Sequence, residues 1–143
     1  MKKGFTLLEL LLSIALITVL VGVSLPTWYT LFPVNDLDVA KNQVAQSFGR
    51  AAFLSSASDA DSTWGVKVQT GSVVIFQGTS YSGRTASFDE IYPISNTIVI
   101  SGLDEVVFNK LTGLPQTTGT TTLTSVNGDI RTITINSKGT VNY

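Results

Sequence analysis

The feature that most constrains this chain is an uninterrupted apolar run near its N-terminus, from Phe5 to Leu25. Its 21 residues include no basic residue and a single acid, Glu9. As an α-helix, which rises about 1.5 Å per residue, the run is about 30 Å long and matches the hydrocarbon core of a bilayer. The run therefore predicts a membrane-spanning helix, and Glu9 is the residue in it that needs an explanation.

Three interpretations of this segment are open. The first is a permanent membrane anchor with Lys2 and Lys3 in the cytoplasm. The second is a secretory signal that is removed after Ser24. In the third, the chain is cut before the run, which then stays in the mature protein. An acid at the centre of a spanning helix costs roughly 2.5–3.5 kcal/mol, and intramembrane acids are functional candidates by default. Glu9 therefore favours retention of the run, since a disposable signal gains nothing from it.

The composition narrows the possible functions. A length of 143 residues suits one domain plus an appendage, and a formal net charge of −1 with 13% charged residues provides no long-range field for nucleic acid. The chain has no Cys and no His, so it lacks a disulfide framework, a thiolate nucleophile and the commonest general base and metal ligand. We therefore expect neither an enzyme nor a bound cofactor or metal.

Residues 26–60 predict an amphipathic continuation of the helix. Pro26 should kink it, because proline removes a backbone hydrogen bond. Asn35 or Asp36 could cap a new helical stretch. Apolar residues then recur at three- and four-residue spacing and predict one buried stripe: Leu37, Ala40, Val44, Phe48 and Ala51. The helix is expected to end within the Ser- and Asp-rich stretch 55–62.

Residues 61–143 predict a β-rich head made of short strands. Alternating segments are separated by turns rich in Gly, Asn and Pro, as in antiparallel sheets. Thr70–Ser72 should link one hairpin, Asn127–Gly128 a second and Lys138–Gly139 a third tight turn. The stretch 79–93 is expected to be a loop with at most a short edge strand. The fold class is thus α+β, with a long N-terminal helix packed on an antiparallel β-sheet or β-sandwich.

The acidic residues offer weak candidates for chemistry. Asp59 and Asp61 could bind Ca²⁺, but their spacing lacks the other ligands of a calcium loop, so a solvated loop is favoured. Asp89–Glu90 and Asp104–Glu105 are adjacent pairs whose side chains would point to opposite faces of a strand. We interpret both pairs as turn and surface residues.

The stretch Gly4-Phe5-Thr6-Leu7-Leu8-Glu9-Leu10, behind Lys2 and Lys3, resembles the signal of bacterial type IV pilins and type II secretion pseudopilins. The resemblance implies that a prepilin peptidase cuts between Gly4 and Phe5 and methylates the new amine of Phe5. It implies that Glu9 pairs with such an amine during assembly, since pairing repays part of the cost of two buried charges. It also implies a precursor in the inner membrane, with lipid, the assembly platform and other subunits as partners, and a final place in an extracytoplasmic filament.

The C-terminal half resembles the heads of H-type pseudopilins and T-type minor pilins, through the stretches 106–115 and 130–141. Some T-type minor pilins are thought to bind DNA, which would make Arg84, Lys110 and Arg131 the candidate contacts. Residues 63–143 hold five basic and five acidic residues, so no cation excess supports DNA binding. The alternative from another class is a secreted β-rich binding module released after Ser24.

Overall fold

A computed structural model describes the backbone of residues 5–143 and the side chains of residues 5–22 and 35–143. The chain divides into two compact units, Met1–Pro33 and Val34–Tyr143, and the second unit is called the head below. The leader residues Lys2, Lys3 and Gly4 lie outside the described residues. Each unit is described by itself.

One helix, α1, runs from Leu7 to Ser56 and provides the N-terminal element of both units. It is continuous through positions 26 and 33, so the prediction that Asn35 or Asp36 caps a new helix was wrong. The side chain of Pro26 lies outside the described residues, and the predicted kink there stays a prediction. The helix ends within the stretch that the sequence predicted, where three residues that are not glycine (Ser58, Ala60 and Asp61) have left-handed backbone angles. Such angles cost a non-glycine residue about 1–2 kcal/mol and cannot continue a right-handed helix.

The head contains two four-stranded antiparallel sheets, as the alternating pattern predicted. Sheet A has the order β3-β2-β1-β5, and sheet B has the order β4-β6-β7-β8. The strand bounds are β1 (Trp64–Gln69), β2 (Ser72–Gln77), β3 (Glu90–Pro93), β4 (Val99–Gly102), β5 (Glu105–Phe108), β6 (Gly119–Thr124), β7 (Ile130–Ile135) and β8 (Val141–Asn142). The three predicted hairpins are the pairs β1–β2, β6–β7 and β7–β8.

The core of the head lies between α1 and the inner faces of both sheets. All five residues of the predicted helical stripe are at most 1% exposed. They pack with alternate residues of sheet A, such as Val66 and Ile75, and of sheet B, such as Leu123 and Ile133. The rings of Phe48 and Phe108 are 6.4 Å apart in this core. The helix is therefore an integral layer of the head, which confirms the α+β class.

The loop after β5 closes on the C-terminal end of α1. The backbone N–H of Leu111 donates to the carbonyl of Ser55, with N and O 2.9 Å apart. Gly113 has a φ of +63°, and a Cβ atom at this position would lie 2.7 Å from the carbonyl oxygen of Ala52. Only glycine permits both the left-handed angle and this close approach to the helix backbone.

The loop between β2 and β3 covers the outer face of sheet A. Phe76 lies over Gly65 on the neighbouring strand, where a Cβ atom would be 2.5 Å from the ring. Tyr81 packs edge-on against Phe76, and the guanidinium of Arg84 lies 3.8 Å from the Tyr81 ring centroid. Val74 and Phe76 are consequently buried although they point away from the core. The predicted loop with a short edge strand is confirmed, with β3 as that strand.

Candidate assembly site

The start of α1 places Glu9 in a favourable local setting. Thr6 precedes the first helical residue, and its Oγ1 accepts a hydrogen bond from the backbone N–H of Glu9 at 3.3 Å. Thr6-Leu7-Leu8-Glu9 is thus one half of a capping box, in which a side chain satisfies an N–H that the helix leaves free. The carboxylate also lies in the first turn, where the helix dipole favours negative charge. The sequence prediction missed Thr6, although the T-x-x-E spacing could have identified it.

The segment that follows Glu9 is apolar on every side and is exposed throughout. Large side chains from Phe5 to Val21 are 52–81% exposed. The hydroxyls of Ser13 and Thr18 donate back to the helix, to the carbonyls of Glu9 and Ile14, each at 2.8 Å. A helix that is apolar all round needs an apolar environment, such as lipid or other helices, to cover it.

Among the described residues, no helix is both long and apolar enough to cross a membrane.

The three candidate DNA contacts lie in separate parts of the head, and each is bound to a carboxylate. Arg84 pairs with Asp89 at 2.8 Å, Arg131 pairs with Asp38 of α1 at 2.8 Å, and Lys110 pairs with Asp61. The hydrogen bond from each arginine to its carboxylate raises the pKa of that arginine. Each carboxylate neutralises a positive charge that would otherwise be able to bind a DNA phosphate.

The acidic residues serve as partners of these cations. The carboxylate of Asp61 forms an ion pair with Lys110. The backbone carbonyl of Asp59 accepts a hydrogen bond from the indole N–H of Trp64 at 3.1 Å. Among the described residues, no three acidic side chains come together as a metal site would require. Asp89 differs from the prediction of a surface residue, because its side chain is only 8% exposed against Arg84.

A second ion pair fastens α1 to the edge of sheet A. Arg50 donates to both carboxylate oxygens of Glu90, at 2.5 and 2.6 Å, and the hydroxyl of Tyr92 donates to the same group at 2.9 Å. The Arg50 hydrogen bond lowers the pKa of Glu90; burial opposes this shift and the Tyr92 hydrogen bond adds to it.

This lowered pKa predicts an acid-dependent loss of stability. The contribution of the Arg50–Glu90 pair is present above the ordinary glutamate pKa of about 4.3 and is lost as the pH falls through the lowered pKa of folded Glu90. Because both side chains are partly exposed, the loss should be no more than about 1 kcal/mol. We expect the difference in urea midpoint between pH 6 and pH 3 to shrink in Glu90→Gln. An unchanged difference would show that the pair does not contribute.

The comparison with protein families identifies the N-terminal segment. Residues 1–25 match the family model described as the prokaryotic N-terminal methylation motif. The match covers Gly4, Phe5 and Glu9 and the apolar run. No curated protein and no solved structure matches the chain.

Proposed function

We propose that this protein is a structural subunit of a filament of the type IV pilus or type II secretion kind, assembled through its N-terminal helix. The matched methylation motif carries this proposal. A prepilin peptidase cuts between Gly4 and Phe5 and methylates the new amine. The apolar segment from Phe5 to Leu25 is then retained as the part that joins the subunits.

The exposed apolar surface of the N-terminal unit supports this role. Leu8, Leu12 and Val19 are among its exposed side chains, at 66–76%. In the assembled filament, the same segments of neighbouring subunits cover this surface. Before assembly, membrane lipid covers it in the inner membrane, where the assembly platform extracts the subunit; this part of the proposal rests on the motif.

Glu9 acts in the proposed assembly by pairing with the amine of Phe5 on a neighbouring subunit. Its side chain is exposed at the start of α1 and is available to such a partner. A subunit in the wrong register would leave a buried charge without its partner, which is strongly unfavourable. The charge therefore selects one register.

We infer from the head that the protein is a minor subunit of the filament and not its main building block, as H-type pseudopilins and T-type minor pilins are. Two small sheets packed on the helix agree with that resemblance. The paired states of Arg84, Lys110 and Arg131 do not favour DNA uptake as the function of the head.

The N-terminus of the mature protein tests the proposal. In a bacterium with a prepilin peptidase, intact mass and N-terminal peptide sequencing should show a chain that begins with methylated Phe5. Gly4→Leu should block this cleavage, because leucine replaces the glycine of the peptidase motif. Gly22→Leu should leave it unchanged, because among the described residues only the adjoining helix backbone lies close to a Cβ at position 22.

If the chain is instead a secreted module, the effects of Gly4→Leu and Gly22→Leu on cleavage of the precursor are exchanged. Signal peptidase needs small residues near its cut, so Gly22→Leu would then block release after Ser24 and Gly4→Leu would have no effect. A mature chain that begins at Leu25 would contradict the filament proposal.

A further inference from the structure

The tip of the hairpin between β6 and β7 is exposed and uncrowded. Its loop consists of Val126, Asn127 and Gly128, and all three residues are exposed. The loop is closed at its base by Ser125, whose backbone N–H donates to the carbonyl of Asp129 at 2.9 Å. Gly128 has a left-handed φ of +86°, and apart from its chain neighbours no atom lies within 4 Å of a Cβ built there. An Asn-Gly sequence is thus presented where little hinders its chemistry.

An asparagine that precedes a glycine is able to react with its own main chain. The backbone nitrogen of Gly128 attacks the side-chain carbonyl carbon, Cγ, of Asn127, and a C–N bond forms. The C–N bond of the side-chain amide breaks, and its nitrogen leaves as ammonia with the proton of the backbone N–H. Solvent water then opens the five-membered succinimide at either carbonyl, which gives aspartate or isoaspartate. Ring closure within one chain needs no encounter with a second molecule, and glycine has no Cβ to shield its nitrogen.

The other six asparagines of the chain are less suited to this reaction, because none of them precedes a glycine. Asn136, in the turn between β7 and β8, is also held in place. Its Oδ1 accepts hydrogen bonds from the backbone N–H groups of Lys138 and Thr140, at 2.9 and 3.0 Å. Within the described part of the chain, the carboxamide of Asn127 has no such partner. Its side chain is therefore able to turn toward the nitrogen of Gly128.

Ser125 determines how readily the tip reaches the reactive geometry. Its carbonyl accepts the N–H of Gly128 at 3.0 Å, which occupies the attacking nitrogen. Its Oγ accepts the N–H groups of Asn127 and Asp129, at 3.3 and 3.1 Å. The reaction therefore requires the turn to open while the strands below it stay paired. Such a local opening costs less free energy than unfolding of the whole head.

We propose that Asn127 is a site of spontaneous modification, where asparagine is converted to aspartate and isoaspartate at a rate that Ser125 limits. The new carboxylate adds one negative charge and takes the formal net charge of the chain from −1 to −2. Isoaspartate also lengthens the main chain by one carbon between the two middle strands of sheet B. Older copies of the protein are thereby marked by a charge and a distorted turn. This inference does not depend on the proposed function.

Incubation of the folded, full-length protein in detergent micelles at mildly alkaline pH tests the inference. Peptide mass spectrometry follows each asparagine with time, and electron-transfer fragmentation distinguishes isoaspartate from aspartate. We expect both products at Asn127 before any other asparagine changes. The same protein unfolded in urea should react faster, because the turn no longer holds the nitrogen of Gly128. The fluorescence of buried Trp64 shows that the incubated protein is still folded.

Matched serine variants test the role of the turn. Ser125→Ala removes the Oγ that accepts two N–H groups and should accelerate the reaction at Asn127 about fivefold, since a lost hydrogen bond shifts an opening equilibrium by that order. Ser137→Ala, at an exposed position in the next turn, should react at the wild-type rate. In urea, all three proteins should react at one rate, because the difference arises from the folded turn.

Three results would overturn the inference. The first is that Asn127 of the folded protein stays unchanged for as long as the unfolded protein needs to be fully converted. The second is that another asparagine of the folded protein reacts first. The third is that Ser125→Ala reacts at the wild-type rate, because Ser125 would then not limit the reaction.

Discussion

Glu9→Gln is expected to reduce incorporation of this protein into filaments by at least about tenfold. If Glu9 pairs with the amine of a neighbouring subunit, as we propose, removing its charge leaves that amine buried without a partner. Such a loss is worth several kcal/mol, against about 1.4 kcal/mol for each factor of ten. The measurement is the amount of protein in sheared filament fractions relative to the amount in membranes, in a bacterium that assembles the wild type.

The capping box supplies the control for this experiment. Glutamine is as suitable as glutamate at the third helical position of a capping box, so Glu9→Gln changes the charge and keeps the cap. Thr6→Ala does the reverse, because it removes the Oγ1 that accepts the N–H of Glu9 and leaves the carboxylate. A cap is worth about 0.5–2 kcal/mol of local helix stability, so Thr6→Ala should reduce assembly only slightly. Equal losses in both variants would mean that Glu9 acts through the helix end and not through its charge.

Phe48→Ala is expected to lower the free energy of unfolding of the head by about 3–5 kcal/mol, the usual cost of removing a buried aromatic ring. Phe48 is 1% exposed and lies where α1 meets sheet A, beside Phe108. Its loss would leave a cavity that the helix and two sheets can fill only by moving together, because the core joins all three. The total free energy of unfolding of a natural domain is about 5–15 kcal/mol, so the variant should be close to unfolding.

Urea denaturation of the full-length protein in detergent measures this loss. Trp64 is 3% exposed and reports on the core, in a Trp28→Phe background that removes the other indole. Phe53→Ala is the matched control on the same helix, since Phe53 is 68% exposed; its stability should stay within about 0.5 kcal/mol of the wild type. If the two variants lose similar stability, the helix is not part of the core.

Local patterns predicted the elements of this fold well. The spacing of Leu37, Val44 and Phe48 predicted the buried face of α1, since the side chains of a helix repeat every 3.6 residues whatever they pack against. The Gly-containing turns between alternating segments predicted the hairpins in the same way. The capping residue at position 35 or 36 was wrong because a local cap signal cannot show that a helix has already begun at Leu7.

Contacts between distant residues could not be predicted. Strand β1 pairs with β5, about 40 residues later, and this pairing places β4 in the other sheet. The ion pairs Asp38–Arg131 and Arg50–Glu90 depend on that arrangement, and no local pattern reports them. The same holds for the candidate DNA contacts, whose charges looked available until the fold paired each one with an acid. For the assembly site, the sequence showed the motif, and the missed cap at Thr6 was within reach because its T-x-x-E spacing is local.

The two ion pairs that join α1 to the sheets have a mechanical consequence. Asp38 ties the helix to sheet B, and Arg50 ties it to sheet A about 18 Å further along. If the filament we propose is pulled and α1 carries the load, the load acts on a helix that is joined to both sheets. A head in which the helix is a structural layer should therefore stay folded under a pull that would unravel a domain attached only by a linker.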